Sequence, residues 1–246
     1  MAPAVTHRGI VLRVADVGDY DRMLTLLTPD AGRQSAFCRG CRKPGAKNLA
    51  AAQLFVLGDF QLQPRAATPS LLQSQVHESH YALRLDYARL TAASGIAKLA
   101  LAASLPDAAD TPLFELVLEA FDSLCREAAP EVVAAQAALR MLDLQGLAPR
   151  LDACCRCGDI PTRGLTFASV EQGGALCGLC AARCTDAIPL TPAQLAALGD
   201  TAAPWGRQAL PAAFVADFAA THLHLRGPLP TPAAPAPSPA AIPEFM

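Results

Sequence analysis

Four of the nine cysteines stand at a spacing that carries chemistry. Two residues separate Cys154 from Cys157 and Cys177 from Cys180, and nineteen residues lie between the pairs. A Cys-x2-Cys segment wraps one turn around a metal and supplies half of a tetrahedron, so two such segments close the coordination sphere. The ion expected is zinc, one per chain. Four thiolates leave no position for water or substrate, so its role is structural. Gly158 and Gly178 adjoin ligand positions, where tight turns favour glycine. Disulfides or free buried thiols are the alternative, and Cys155 and Cys184 lie near enough in sequence to replace a ligand.

A third Cys-x2-Cys pair, Cys38 and Cys41, is bracketed by Arg39, Arg42 and Lys43. Neighbouring cations favour the thiolate, which would make either cysteine reactive. No thioredoxin-like strand–helix–strand frame surrounds the pair, so two small residues at a strand end is the plainer reading. The same stretch, residues 33–47, holds five cations (Arg33, Arg39, Arg42, Lys43 and Lys47) and no acid. Such a loop suits contact with a phosphate backbone better than base readout. Five contacts to a single strand would give a log–log salt slope of about −3.5. Arg8, Arg13 and Arg22 extend the patch if the fold brings them to one face. A solvated basic loop is the competing interpretation.

The chain has 246 residues, 52% hydrophobic but only 5% aromatic, so its core rests on Ala, Leu and Val. The formal charge of −2 excludes a globally basic DNA coat. That charge is uneven, with a net +3 over residues 1–80 and −5 over the remainder. Only one end is therefore suited to a polyanion. The N-terminus does not read as a signal peptide. The longest apolar run, Leu90 to Leu105, contains Lys98 and is too short and polar to span a bilayer. A cytoplasmic protein without membrane contact is expected. Phosphate-loop, nucleophile-elbow and HExxH signatures are missing, and the five histidines form no constellation with a nucleophile. No catalytic residue is expected, and the protein is not read as an enzyme.

Five short strands must position the basic loop: Arg8 to Val14, Arg22 to Thr28, Arg33 to Arg39, Leu54 to Leu62, and Leu71 to His77. Turn residues separate them, which predicts a small barrel of the OB or SH3-like type. The period then changes to helical. One long helix or two short ones follow His80, a second starts at Thr111-Pro112 with Thr as cap, and a third spans Glu131 to Gln145. Beyond the cysteines, Thr191-Pro192 and Trp205 to Leu225 read as helical again. From Gly227 the chain is rich in Pro and Ala, too poor in bulky residues to pack a core. The expected organisation is a DNA-binding barrel over residues 1–79 and a helical domain over 80–226 that contains a zinc region at 150–186. A disordered tail at 227–246 completes it.

The string GIVLRVADVGDYDRMLTLLTPDAGRQSAFCRGCRKP resembles the N-terminal barrel of the RecO family of bacterial recombination mediators. Gly18, Asp21, Arg22, Leu24 to Thr28, Gly32, Arg39, Gly40, Arg42 and Lys43 carry the likeness. Gln53 to Leu62 is similar to the family's next strand pair, and Gly146 to Cys154 to the approach to its C-x2-C-G site. The resemblance implies an α+β chain: an N-terminal five-stranded OB-fold barrel and an α-helical C-terminal domain with an inserted four-cysteine zinc element. It implies binding of single-stranded and double-stranded DNA, strand annealing, and action with RecR to displace single-strand-binding protein and seat RecA. Arg22, Arg39, Arg42 and Lys43 become backbone-contact candidates, and Cys154, Cys157, Cys177 and Cys180 the metal set. Cys38 and Cys41 depart from the family, where small residues such as Ala are common. A zinc-containing protein-interaction module that meets DNA only through a partner is the alternative function.

Overall fold

Five alternating apolar segments build the N-terminal half: β1 (Val5–Val17), β2 (Asp21–Thr28), β3 (Gly32–Cys38), β4 (Leu57–Gln63) and β5 (Ser70–Glu78). The computed structural model describes residues 3–126, 129–160 and 164–230. The five strands close into a barrel in the order β1-β2-β3-β5-β4. Closure depends on the length of β1. Its first half, Val5 to Ile10, pairs with β4, and its second half, Ile10 to Val17, pairs with β2. A register shift between Val11 and Arg13 lets one strand bend to serve both neighbours. This Greek-key order is that of an OB fold, which settles the choice that periodicity left open. Strand β4 begins at Leu57 rather than Leu54, because Phe55 takes a positive φ of 69°.

The barrel has two apolar faces. Val11, Leu24, Leu26, Ala36, Phe60 and Leu62 fill its interior. Ile10, Leu12, Leu27, Phe55 and Leu57 belong instead to the core of the helices. Those helices are α1 (Tyr87–Ala103), α2 (Thr111–Arg126), α3 (Pro130–Leu144), α4 (Gly178–Ala181), α5 (Pro192–Gly199) and α6 (Ala212–His222). A one-turn 3-10 segment, Tyr81–Arg84, precedes α1, so the first full helix starts later than the sequence pattern indicates. Asp86 caps α1 by accepting from the Arg89 N–H at 2.8 Å. Asp110, not Thr111, caps α2 through the Leu113 N–H at 3.0 Å. At the end of α3, Gly146 (φ 68°) lets Leu147 N–H reach back to the Leu142 carbonyl at 2.8 Å, a glycine-stopped helix. Residues 205–211 are loop rather than helix. There the Trp205 ring sits under the Arg140 guanidinium at 3.9 Å, and the Gln136 side chain accepts from Gly206 N–H at 2.7 Å.

Three contacts lock barrel to helices. Phe55 meets Phe121 of α2 edge-on, with ring centroids 5.1 Å apart. His80, only 2% exposed, places Nδ1 2.7 Å from the Phe55 carbonyl and Nε2 3.1 Å from Asp122 Oδ1. The ring thus bridges the loop before β4 to α2. Gly32, at the β2–β3 turn, lies where any Cβ would run into the Leu105 and Ala108 carbonyls of the α1–α2 connection. That close approach requires glycine.

The cysteine region forms a small unit beside the helices. Strands β6 (Phe167–Ser169), β7 (Gly174–Leu176) and β8 (Ile188–Pro189) pair in the order β7-β6-β8. Cys154, Leu165, Ala175, Leu176, Cys177 and Ala181 make its own miniature core. Of the tail expected from residue 227, only 227–230 fall within the described residues, and 231–246 lie outside them. No helix among the described residues is long and apolar enough to cross a membrane.

Candidate metal centre and nucleic-acid interface

The two cysteine knuckles are shaped by backbone hydrogen bonds. In the first, Gly158 N–H donates to the Cys154 carbonyl at 2.8 Å and Cys154 N–H donates to the Asp159 carbonyl at 3.0 Å. Gly158 takes a φ of 75° to close this turn. In the second, Cys177 stands at the start of α4, and its carbonyl accepts from Cys180 N–H at 3.1 Å and Ala181 N–H at 2.9 Å. Cys155 N–H donates to the Ala175 carbonyl at 2.9 Å, which fastens the first knuckle to β7 next to the second.

The sulfur atoms of Cys154, Cys157, Cys177 and Cys180 lie within 4.8 Å of one another, and this group could hold a metal ion. Cys157 Sγ and Cys177 Sγ stand 3.9 Å apart. Zinc–sulfur bonds of about 2.3 Å in a tetrahedron would set sulfur atoms about 3.8 Å apart. A set of four thiols, with no oxygen donor, fits a thiophilic cation and closes around it. Burial opposes ionisation of Cys154, yet N–H groups of Cys177, Cys157 and Arg156 aimed at its sulfur outweigh burial and bring its pKa down to about 6. Burial and the crowd of neighbouring thiols push Cys180 the other way, up to about 12. Four thiolates this close repel one another, and a cation among them would offset that repulsion. Cys155 and Cys184 stand outside the set. Cys155 Sγ donates to the Arg150 carbonyl at 3.7 Å, and Cys184 Sγ accepts from Arg156 Nη1 at 3.4 Å.

The eight expected DNA-contacting cations divide by what their side chains already touch. The loop from Arg39 to Lys47 is held to the β1–β2 turn: Asp21 Oδ1 accepts from Gly40 N–H at 2.6 Å, and the Tyr20 carbonyl accepts from Arg42 N–H at 2.9 Å. Gly40 itself adopts a φ of 64°. Upon this frame Arg39, Arg42, Lys43 and Lys47 are exposed. Arg42 pairs with Asp16 at 3.3 Å, and Lys43 lies 5.4 Å from the centre of the Tyr20 ring, which is itself 50% exposed. Arg22 is more deeply engaged, donating to Asp16 Oδ1 at 3.0 Å and to the Ala52 carbonyl at 2.7 Å. Arg33 donates to the Leu101 carbonyl at 2.8 Å, across the seam between barrel and helices. With Arg13, Thr25 and Ser35 it lines a groove of about 560 Å3 along that seam. Arg8 is exposed on β1, opposite Asp59 of β4.

Sequence reasoning did not single out Asp16, which gathers Arg22 and Arg42 on its two oxygens, nor Tyr20 as the exposed ring beside Lys43. The turn string Asp16 to Asp21 held the signal, since acids amid a basic segment mark anchoring points. The apolar strand runs place Phe37, Phe55 and Phe60 in the core; Phe55 and Phe60 are fully buried, whereas Phe37 is only half-buried.

A closed five-stranded OB barrel with a cationic loop shares its core with a helical half that carries a four-sulfur centre, and these parts together define an α+β class of protein. The family model for the N-terminal part of recombination protein O matches residues 1–80, and that for its C-terminal part matches residues 84–212. The chain belongs to the RecO family. It is 38% identical over 194 residues to the DNA repair protein RecO of an Anaeromyxobacter species (strain K), covering 77% of this chain and 76% of that protein. It is 34% identical over 201 residues to the namesake protein of Rubrobacter xylanophilus, covering 80% and 79% of the two chains. Against that of Bacillus velezensis the identity is 30% over 184 residues, covering 75% and 71%.

Proposed function

We propose that this protein is a DNA-binding mediator of recombinational repair. It holds single- and double-stranded DNA by the phosphate backbone and anneals complementary strands. With RecR, it helps to load RecA onto strands covered by single-strand-binding protein. Membership of the RecO family supports the repair role. The observation that carries DNA contact is the anchored loop, which offers four exposed cations from a fixed frame. Its place of work is the cytoplasm, on the nucleoid.

Arg39, Arg42, Lys43 and Lys47, with Arg8 and Arg13, are the phosphate-contacting set. Arg22 and Arg33 act as positioning residues, because their guanidinium groups are committed to backbone carbonyls. Tyr20 offers one base a face to stack on beside Lys43. A surface that grips backbones and leaves base edges free lowers strand–strand repulsion and raises local strand concentration, which is what annealing requires. No covalent step is involved. Cys154, Cys157, Cys177 and Cys180 would hold one structural zinc, which crosslinks the two knuckles.

Fluorescence anisotropy with labelled single-stranded and duplex oligonucleotides at several salt concentrations tests the reading. Tight binding of both forms that weakens with salt is expected. Replacing Arg39, Arg42 and Lys43 by Ala should flatten the single-strand salt slope by about 2. An unchanged slope and affinity would move the site elsewhere. No binding at low salt would favour the module that meets DNA only through a partner.

A further inference from the structure

The chain has three tyrosines, and none belongs to the core: like Tyr20, Tyr81 and Tyr87 are largely exposed, by 58% and 63%. No phenylalanine among the described residues is exposed. Phenylalanine fills the interior, and the rings with a polar edge stand on the surface. Two of the three tyrosines have a cation beside them. The Arg84 guanidinium lies 5.4 Å from the centre of the Tyr81 ring, the same distance as Lys43 from that of Tyr20. Tyr81 and Arg84 are the two ends of the 3-10 turn, in which residues three apart eclipse. Tyr87 follows three residues later as the first residue of α1, and Leu85 between them is exposed.

A continuous line of contacts joins this patch to the cationic loop. Arg42 and Arg22 share the carboxylate of Asp16. Arg22 also donates to the Ala52 carbonyl, and Arg84 donates to the carbonyl of Leu54, two residues further along the same segment. A groove of about 330 Å3, lined by Val14, Asp16, Arg22, Gln53 and Leu54, opens along this strip. Arg84 is paired with no acid among the described residues, so its charge is left for an outside anion. The acids that flank the patch in sequence are engaged by backbone N–H groups: Glu78 by Ser79 and His80, Asp86 by Arg89.

We propose that Tyr81, Arg84 and Tyr87 form a second station for single-stranded nucleic acid, on the helical half, reached by a strand that starts on the cationic loop. The inference rests on the DNA-binding reading above and adds to it a path and a strand preference. The pairing of exposed rings with arginines selects a chain that carries both flat bases and phosphates: the rings take the bases, and Arg84 takes a phosphate. Every base has a face, so the station is blind to sequence. A duplex keeps its base faces stacked inside and offers the tyrosines only edges, so the station is selective for single strands. The cationic loop grips either form, and the tyrosine patch tells them apart.

The test combines Tyr81→Ala with Tyr87→Ala and titrates the full chain into labelled oligothymidylate and a duplex of equal length, at two salt concentrations. Single-strand binding should weaken about tenfold or more, with its salt slope and the duplex affinity unchanged, because stacking releases no counterions. Tyr81→Phe with Tyr87→Phe keeps both ring faces and should keep the wild-type affinity. Nitration by tetranitromethane, read by peptide mass spectrometry, gives a second measure on the unmutated chain: oligothymidylate should protect Tyr81 and Tyr87, and the duplex should not. Unchanged single-strand affinity in the Ala variant, or an equal loss for duplex, would overturn the proposal. Nitration indifferent to oligothymidylate would also overturn it and mark the patch as a face for a protein partner. If Arg39, Arg42 and Lys43 replaced by Ala weaken both forms while the tyrosine variant changes nothing, DNA binding stands and only the second station falls. If the unmutated chain binds neither form at low salt, both fall together.

Discussion

Cys38 and Cys41 share their spacing with Cys154 and Cys157, yet the two pairs live in opposite surroundings. Cys38 and Cys41 are buried among Val11, Leu24, Phe60 and Leu62 in the barrel. Burial first, and then the adjacent Cys41, push the Cys38 thiol far up from its ordinary range. Cys154 is just as inaccessible, but backbone N–H groups converge on its sulfur and a second knuckle stands opposite. The first pair sits as small apolar filling, the second as half of a group that could hold a metal ion. Two residues between cysteines specify a reach. The donors and the partners around the sulfur specify the chemistry.

Replacing Cys154 and Cys177 together by Ser should break the contrast most severely. Metal content, measured on purified protein, should fall from about one zinc per chain to none, with loss of protection from hydrogen exchange around residues 154–181. Structural zinc contributes folding energy directly, so this is the largest effect expected. Cys38→Ser should come next, destabilising the barrel by about 1–3 kcal/mol in denaturant melts, since it buries a hydroxyl in an apolar core. Zinc content should stay at wild-type level. Cys38→Ala with Cys41→Ala should cost less than Cys38→Ser, because Ala matches the apolar surroundings. If that double variant lost metal, or lost more stability than the Ser variant, the filler role would be wrong. The smallest effect should follow Cys184→Ala, within about 0.5 kcal/mol, as it lies outside the ligand set.

Alkylation sharpens the same contrast without mutation. Under native conditions at pH 7.5, Cys38 and Cys41 should stay unmodified for as long as the barrel is folded. The exposed Cys157 should become reactive once a chelator has been added. Peptide mass spectrometry reads both, and modification of Cys38 at the rate of Cys157 would contradict the assignment.

The knuckles were legible in the sequence because their geometry is local: four cysteines and two short spacings fix the reach of the chain. The number of barrel strands was legible for the same reason. Strand order was not legible from local pattern, since the pairings of β1 with β4 and of β3 with β5 join segments far apart in sequence. The roles of Arg22 and Arg33 were equally hidden, because their partners, the carbonyls of Ala52 and Leu101, come from tertiary packing. His80 and Asp122 meet only when barrel and α2 dock. Trp205 read as helical, but its loop is fixed by Arg140 and Gln136 of α3, which no local pattern announces.

The barrel lends five apolar residues of its outer surface to the core of the helices. Cutting the chain between them would leave Ile10, Leu12, Leu27, Phe55 and Leu57 facing water, so neither half is a spare part that can be lifted out intact. The two halves should melt in a single step. The cationic loop therefore has no hinge to swing on. A push delivered to the helices moves the cationic surface bodily, as a handle moves a blade.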